Sequence, residues 1–268
     1  MTWRCVQHLL MFGLKPPMLG DQRPQRIILV DDGSMDNTAA IGAWLEAMDP
    51  PSHPRQSREA VGAHRYVRHD KNRGCHAAWN TGWRSGRGNY VAFINNDICV
   101  MPHCLERMLF VLESGRPYVS STHVGGAWDP GDVLEIAQEA QHYGNRFEEG
   151  PDDFFGACFA VRRDVLEALN GFDEQFYLTY GDTDFMERMR DAGHKTCTVT
   201  AAVAYHGGSV TRRREFGRDR DVDFDLADRE RFEKKWAGRL DVLGRHPRLD
   251  KSIMESARDT YWSQSEKV

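Results

Sequence analysis

No apolar run in the 268 residues approaches the 18 or so that mark a membrane-spanning helix, and the mean hydropathy is −0.61, so no transmembrane segment is expected. The opening MTWRCVQHLLMFGLKPPM lacks the small-residue cleavage pattern of a signal peptide. No Cys-x-x-Cys occurs, which argues against a zinc knuckle. The six cysteines, at 5, 75, 99, 104, 158 and 197, are too sparse for a disulfide framework, and reduced thiols in a cytoplasmic protein are expected. No G-x-G-x-x-G follows an apolar run, which disfavours a nicotinamide enzyme. Positive charge is not in excess. Lys and Arg number 35 against 40 Asp and Glu, giving a net charge of −5 and a pI near 6.1, so a dedicated nucleic-acid binder is not expected. There is no internal repeat and no low-complexity block.

What the sequence does have is alternation. Residues 4–12 read as an amphipathic helix, followed by the loop KPPMLGDQRP. RIILV (26–30) is a short apolar run suited to a buried strand; it ends in Asp31-Asp32-Gly33-Ser34, and AAIGAWLEAM continues as a helix. Residues 50–64 read as a loop, Tyr66–Arg68 as a short strand and 75–85 (CHAAWNTGWRS) as a helix. Tyr90–Ile94 reads as a second buried strand ending in Asn95-Asn96-Asp97, and a helix is expected from Pro102 through CLERMLFVLE. Residues 115–153 are expected to be irregular. A strand over Phe155–Val161, a helix RRDVLEALNG closed by Gly171, a helix MERMRDAG and a strand TCTVTAAVAYH follow. RRREFGRDRDVDFD is expected to be a loop, LADRERFEKKWAG a helix, and the remainder a polar tail. Strands alternating with helices predict an α/β fold with a mainly parallel sheet, and 268 residues suffice for one sizeable core.

Four clusters carry candidate chemistry. Asp31 and Asp32 sit at the carboxyl end of a strand, where open α/β sheets bind ligands; they could accept hydrogen bonds from a base or ribose, or merely form an Asx turn before the helix. Asn95-Asn96-Asp97 offers hard oxygen ligands for Mg²⁺ or Mn²⁺ beside a diphosphate, or a plain polar loop tip. Asp182 and Asp184 lie near a helix start, as a general base or as helix-capping residues. His206 ends a strand before Gly-Gly-Ser and could ligate a metal, bind phosphate, or do neither. Arg212, Arg213 and Arg214 could grip phosphate, but nearby aspartates make a solvated loop an equal reading.

The order of these clusters resembles the family 2 glycosyltransferases of the GT-A fold. The matching stretches are ILVDDGSMDNT, NRGCHAAWNTG, YVAFINNDICVMP, FGACFAVRRDVLEALNGFDEQFYLTYGDTDFMERMRDAGHK and AYHGGS, running through about two thirds of the chain. The 155–209 block most resembles the branch of rhamnosyl- and galactofuranosyl-type transferases. The resemblance implies a Rossmann-like sheet flanked by helices. It implies a GT-A domain over 1–210, with a nucleotide-sugar half (1–97) and an acceptor and catalytic half (98–210), followed by a charged, partly helical extension over 211–268. By the same resemblance Asp31, Asp32, Asn72, Gly74 and Asn96 would line the donor pocket, Asp97 and His206 would hold Mn²⁺ or Mg²⁺, and Asp182 would be the catalytic base.

The implied activity is inverting transfer of a sugar from a UDP-, dTDP- or GDP-sugar to a hydroxyl. A glycan, a lipid-linked sugar, a protein or a modified nucleic acid all remain open as acceptor, and peripheral membrane association is compatible with it. Two departures from the family pattern stand out. The chain starts inside the first helix, so the family's usual first strand is expected to be absent. Gly181 stands where the family usually has Glu, next to Asp182. The alternative reading is a catalytically inactive GT-A-like nucleotide-binding or scaffold protein. A nucleotidyltransferase would need a Gly-rich basic loop after the first strand, which the sequence lacks.

Overall fold

The computed structural model describes residues 2–13, 26–48, 64–125, 135, 138, 147–148, 156–207 and 210–246. In chain order these form α1 (Thr2–His8, continued by one π turn, Leu9–Gly13), β1 (Ile28–Asp31), α2 (Thr38–Ala47), β2 (Arg65–Arg68), α3 (Cys75–Ser85), β3 (Tyr90–Ile94), β4 (Ile98–Val100), α4 (Cys104–Glu113), β5 (Tyr118–Gly125), β6 (Phe147–Glu148), β7 (Cys158–Arg162), α5 (Arg163–Ala168), α6 (Gly181–Asp191), β8 (Thr198–His206), α7 (Val210–Lys235) and α8 (Leu240–Arg245).

The main sheet runs in the order β3-β7-β5-β8-β4, with β6 also paired to β8. Period-two side-chain alternation places a core on each of its faces. Along β7, Cys158 and Ala160 join a core with α1, α2 and α4 residues such as Leu9, Leu45, Met108 and Leu112. The intervening Phe159 and Val161 join Trp83 of α3, Leu166 of α5 and Phe185 and Met189 of α6 on the other face. Helices therefore cover both faces of a central sheet, as expected for an α/β fold.

Strand direction departs from the expectation. Among the described residues only the β1–β2 and β5–β8 pairings are parallel; β3–β7, β5–β7, β4–β8 and β6–β8 are antiparallel. The reason is that β4 turns back just beyond Asp97, and β7 enters from the far side between β3 and β5.

The sheet is also interrupted. Among the described residues β1 pairs with β2 alone, and β3 ends the main sheet. Arg65 N–H donates to Ile27 C=O and His69 N–H to Asp31 C=O, so alternation turns the backbone groups of Ile28 and Val30 away from β2. Arg163 N–H donates to Asn89 C=O and Asn95 N–H to Ala157 C=O, which likewise turns Tyr90, Ala92 and Ile94 away from β7. Both open edges line one cavity of about 1360 Å³. Among the described residues the β1–β2 pair and the main sheet are therefore separate, with their unpaired edges on the same cavity.

Three further expectations are corrected. The stretch 115–153 contains a strand, β5, despite its polar sequence SSTH. Its hydroxyls are satisfied internally: Ser120 Oγ lies 2.9 Å from Thr198 Oγ1, Ser121 Oγ donates to Cys158 C=O at 3.2 Å and Thr122 Oγ1 to Val199 C=O at 3.3 Å. A polar strand can be central when every hydroxyl has such a partner. The charged stretch 212–225 is helical rather than a loop, being part of α7; the Arg212–Arg214 side chains lie outside the described residues. The later part of α7 is anchored by Phe232 and Trp236, which bury against Phe176, Tyr180 and, from α8, Val242 and Leu243. Finally, α6 starts at Gly181, five residues before the expected Met186, which puts Asp182 and Asp184 inside its first turn.

Candidate functional site

The eight residues to which the family resemblance assigns site roles line the same cavity: Asp31, Asp32, Asn72, Gly74, Asn96, Asp97, Asp182 and His206. They come from the ends of β1, β3 and β8, from the turn before α3 and from the first turn of α6.

The two aspartates after β1 do different things. Asp31 is 1% exposed, and its carboxylate accepts from Tyr66 Oη at 2.6 Å, Arg68 Nη1 at 2.6 Å and Ser34 N–H at 2.7 Å. Burial pushes its pKa up, but the hydrogen bonds from Tyr66 and Ser34 and the Arg68 charge outweigh this and hold the carboxyl below its ordinary value. Asp31 thus shapes the turn. Asp32 keeps an edge toward the cavity and clasps the second loop. It accepts Arg73 N–H at 2.9 Å, Gly74 N–H at 2.8 Å and His69 Nδ1 at 2.6 Å. His69 is in turn fixed by Thr81 Oγ1 at 2.9 Å from Nε2.

The close approach of these loops requires glycine. Gly33 has φ +76°, and a Cβ there would lie 2.7 Å from the backbone of Lys71 and Asn72. Gly74 has φ +94°, and its Cβ would lie 2.3 Å from the Tyr177 carbonyl oxygen. Asn72 Oδ1 accepts Gly74 N–H at 3.0 Å and Tyr177 Oη at 2.8 Å.

Beyond β3, Asn96 Nδ2 donates to Thr2 Oγ1 at 3.3 Å. Asp97 is 5% exposed, its carbonyl accepts Gly207 N–H at 2.8 Å, and its Oδ2 lies 3.4 Å from His206 Nε2. The β4–β8 pairing brings these two together from 109 residues apart in sequence by setting Ile98 opposite His206. One carboxylate and one imidazole side by side fit a divalent ion that takes its remaining oxygens from phosphate and water. Among the described residues no cluster of three or more His, Cys, Asp or Glu could hold a metal by itself.

Asp182 and Asp184 separate clearly. Asp184 is 0% exposed and bound by Arg188 Nε at 2.8 Å, Lys235 Nζ at 2.8 Å and Trp236 Nε1 at 3.1 Å. It is committed to structure. Asp182 instead lines the cavity, and Gly156 lies against its carboxylate: a Cβ at 156 would come within 2.3 Å of Oδ2.

Sequence reading missed His76. It is 1% exposed, its Nδ1–H donates to Phe176 C=O at 2.9 Å, and its ring fills the space beside Gly181, where a Cβ would lie 2.5 Å from Nε2. Burial lowers its pKa against the opposing pull of Asp182, so the ring is neutral. The unusual Gly181 is therefore matched by a histidine that occupies its missing side-chain volume. No local pattern announces this, because the pair is 105 residues apart.

A glycosyl transferase family 2 model matches residues 3–169. The chain is 29% identical over 152 residues to the O-antigen biosynthesis protein RfbC of Myxococcus xanthus, covering 48% of this chain and 12% of RfbC. It is also 29% identical over 150 residues to a Bacillus subtilis protein named glycosyltransferase EpsH, covering 53% and 40%. Among solved structures, GalNAc-T7 with UDP, GalNAc and Mn²⁺ aligns with a TM-score of 0.56 at 13% identity, covering 76% of this chain and 40% of that one. The mannosyltransferase PcManGT of Pyrobaculum calidifontis with GDP-Man and Mn²⁺ aligns at 0.52 and 17%, covering 85% and 60%. The chain thus spans under half the length of those curated relatives, and the structural likeness gives a GT-A-like fold. No helix among the described residues is long and apolar enough to cross a membrane. With the family model spanning more than half of the sequence, the chain belongs to glycosyl transferase family 2.

Proposed function

We propose that this chain is an inverting glycosyltransferase that moves a sugar from a UDP-, dTDP- or GDP-sugar to an acceptor hydroxyl. The observation that carries the reading is the convergence of Asp32, the Asp97–His206 pair and Asp182 on one cavity from separate elements. Asp32, Asn72, Gly74 and Asn96 form the donor cradle, with Asp31 fixing the turn beneath it. Asp97 and His206 are the residues that would hold Mn²⁺ or Mg²⁺, which supplies positive charge against the departing diphosphate when bound.

Asp182 accepts the proton of the acceptor hydroxyl. The hydroxyl oxygen forms its bond to the anomeric carbon from the face opposite the diphosphate, and the bond to the diphosphate oxygen breaks. One displacement of this kind inverts the anomeric centre. Gly156, lacking a side chain, leaves room for the Asp182 carboxylate at the cavity wall. The transferase domain in this reading is 1–210, with 211–268 a charged, partly helical extension whose α7 and α8 pack against Phe176 and Tyr180 through Phe232, Trp236 and Val242. The six free thiols suit a reducing compartment, and the cytoplasm is the proposed location.

The test is a donor screen with Mn²⁺ in which release of nucleoside diphosphate and donor binding are both measured. Asp182→Asn is expected to keep donor binding and to lower turnover by about 10²–10⁴-fold. Normal turnover in that variant removes Asp182 from the role. The interrupted sheet favours a second reading, donor binding without transfer. Calorimetric binding with no turnover for any donor would select it.

A further inference from the structure

The loop that leads into Asp182 is held from two sides. Its carbonyls face α3: Phe176 C=O accepts His76 Nδ1–H at 2.9 Å, Tyr177 C=O accepts Cys75 N–H at 3.0 Å and Leu178 C=O accepts Cys75 Sγ–H at 3.4 Å. Its amides face α7, and there a single carboxylate takes three in a row. Asp228 Oδ1 accepts Tyr177 N–H at 3.0 Å, while Oδ2 accepts Leu178 N–H at 2.7 Å and Thr179 N–H at 2.9 Å. Asp228 is 0% exposed, and Arg231 Nη1, 2.6 Å from Oδ1, fills its last direction. Three successive amides converging on one buried carboxylate fix the path of the backbone more tightly than apolar packing does, because charge-assisted bonds are short and directional.

That path matters at both ends. Downstream, Gly181 N–H donates to Thr179 C=O at 2.8 Å, Tyr180 adopts the left-handed conformation at φ +61°, and Asp182 follows in the first turn of α6. A bulky residue holds that conformation only where its surroundings over-determine it. α7 supplies the surroundings, with Arg229 Nη1 3.2 Å from Tyr180 Oη and the Phe232 ring 5.5 Å from the Tyr180 ring. Upstream, Tyr177 Oη holds Asn72 Oδ1 at 2.8 Å, and the Tyr177 carbonyl closes over Gly74, whose amide Asp32 binds.

We infer that Asp228 is a positioning residue for the transferase site: through the 177–179 amides it aims Asp182 and steadies the Asn72–Gly74 side of the donor cradle. It lies well beyond the 3–169 match to the family model, on a helix that reads in sequence only as part of a charged, partly helical extension. The part of this inference that concerns Asp182 rests on the proposed role of that residue as base.

The test compares Asp228→Asn with a control, Val242→Ala, which removes volume from the α7–α8 packing without touching the carboxylate. Asparagine, with its oxygen in the place of Oδ2, keeps the Leu178 and Thr179 amides and turns its NH₂ group toward both the Tyr177 N–H and Arg231. Asp228→Asn is expected to raise amide exchange at Tyr177, Leu178 and Thr179 by about tenfold or more, as the loss of a charge-assisted bond implies. It is expected to lower kcat for nucleoside diphosphate release by about 10²-fold, the effect of misplacing a reacting group by about 1 Å, with a much smaller change in donor KM. Val242→Ala is expected to lower Tm while leaving kcat and the 177–179 exchange unchanged. Unaltered exchange at 177–179 in Asp228→Asn overturns the inference, as does a kcat loss that Val242→Ala reproduces at equal Tm. If the unsubstituted protein releases no nucleoside diphosphate from any donor, the transferase reading fails instead, and the exchange measurement still decides whether Asp228 sets the loop.

Discussion

Replacing Gly156 by alanine perturbs the proposed base without altering it. The added Cβ would lie 2.3 Å from Asp182 Oδ2, 3.1 Å from Cγ and 3.2 Å from Cβ. Real Cβ atoms keep at least 3.0 Å, so the carboxylate must retreat by about 0.7 Å or more. The atom in conflict is the far end of a side chain, and Gly156 carries no left-handed φ, so the backbone can stay in place. Rotating Asp182 off its preferred torsion costs about 0.5–1.5 kcal/mol. The lower chain entropy of alanine in the unfolded state offsets about 0.4–1 kcal/mol of that. The net change in stability is therefore close to zero to about 1 kcal/mol destabilising, a Tm shift of no more than about 2–4 °C. The catalytic effect is far larger. A displacement approaching 1 Å at the reacting group costs about 10²-fold in rate, which is about 2.7 kcal/mol in the barrier. Nucleoside diphosphate release at saturating donor, read beside a thermal melt, separates the two. Wild-type turnover in Gly156→Ala would show that the Asp182 carboxylate is not aimed where transfer needs it. A Tm drop beyond 10 °C would show that the conflict falls on the backbone instead.

Three further outcomes are expected. Gly181→Ala places a Cβ 2.5 Å from Nε2 of a fully buried His76 ring that cannot swing away, so it should destabilise by about 1–3 kcal/mol in urea melts; an unchanged midpoint would show that the ring is not wedged there. Because burial lowers the pKa of His76, the unfolded chain binds a proton there more readily than the folded one, and this contribution is complete above pH 6.5 and lost as pH falls below it. Denaturant midpoints should fall between pH 7 and pH 5, above the range where carboxylates such as Asp31 titrate, and His76→Gln should flatten that slope; an equal slope in the variant assigns it elsewhere. Amides on the two open edges, Ile28, Val30, Tyr90, Ala92 and Ile94, should exchange with solvent much faster than Val91 and Phe93, which face β7; equal protection in both sets would mean that the slot between β1 and β3 is closed in solution.

Much of the fold was legible because single elements carried their own signals. RIILV and YVAFI are short apolar runs, and each stops at polar residues that mark a strand end; both form strands as expected but are largely half-buried or exposed, because each borders the cavity rather than another strand on one side. The helix over 75–85 and the strand over 90–94 coincide with their expected bounds. The candidate site residues could be singled out for the same reason, since Asp32 and Asp97 stand just beyond such a strand and His206 ends one. Strand direction was not legible. Nothing local in CFAVR says that it runs antiparallel to both β3 and β5. Nor does SSTHV declare itself a central strand, because its hydroxyls find their partners on β7 and β8 only after those strands arrive. The stretch 212–225 reads as a loop because charges dominate its composition, while the aromatic anchors of α7, Phe232 and Trp236, come later.

By itself, then, the sequence determined most of the strands and helices and which polar residues stand at their ends, since those depend on periodicity and on near neighbours. The tertiary structure decided which of two nearby aspartates faces the cavity: Asp184 is taken by Arg188, Lys235 and Trp236, and Asp182 is left to it. It also decided that His76 fills the space beside Gly181, and that Asp228 gathers the amides of a loop about fifty residues before it. These are contacts between residues far apart in the chain, set by volume and by unsatisfied amides that exist only once the elements have packed.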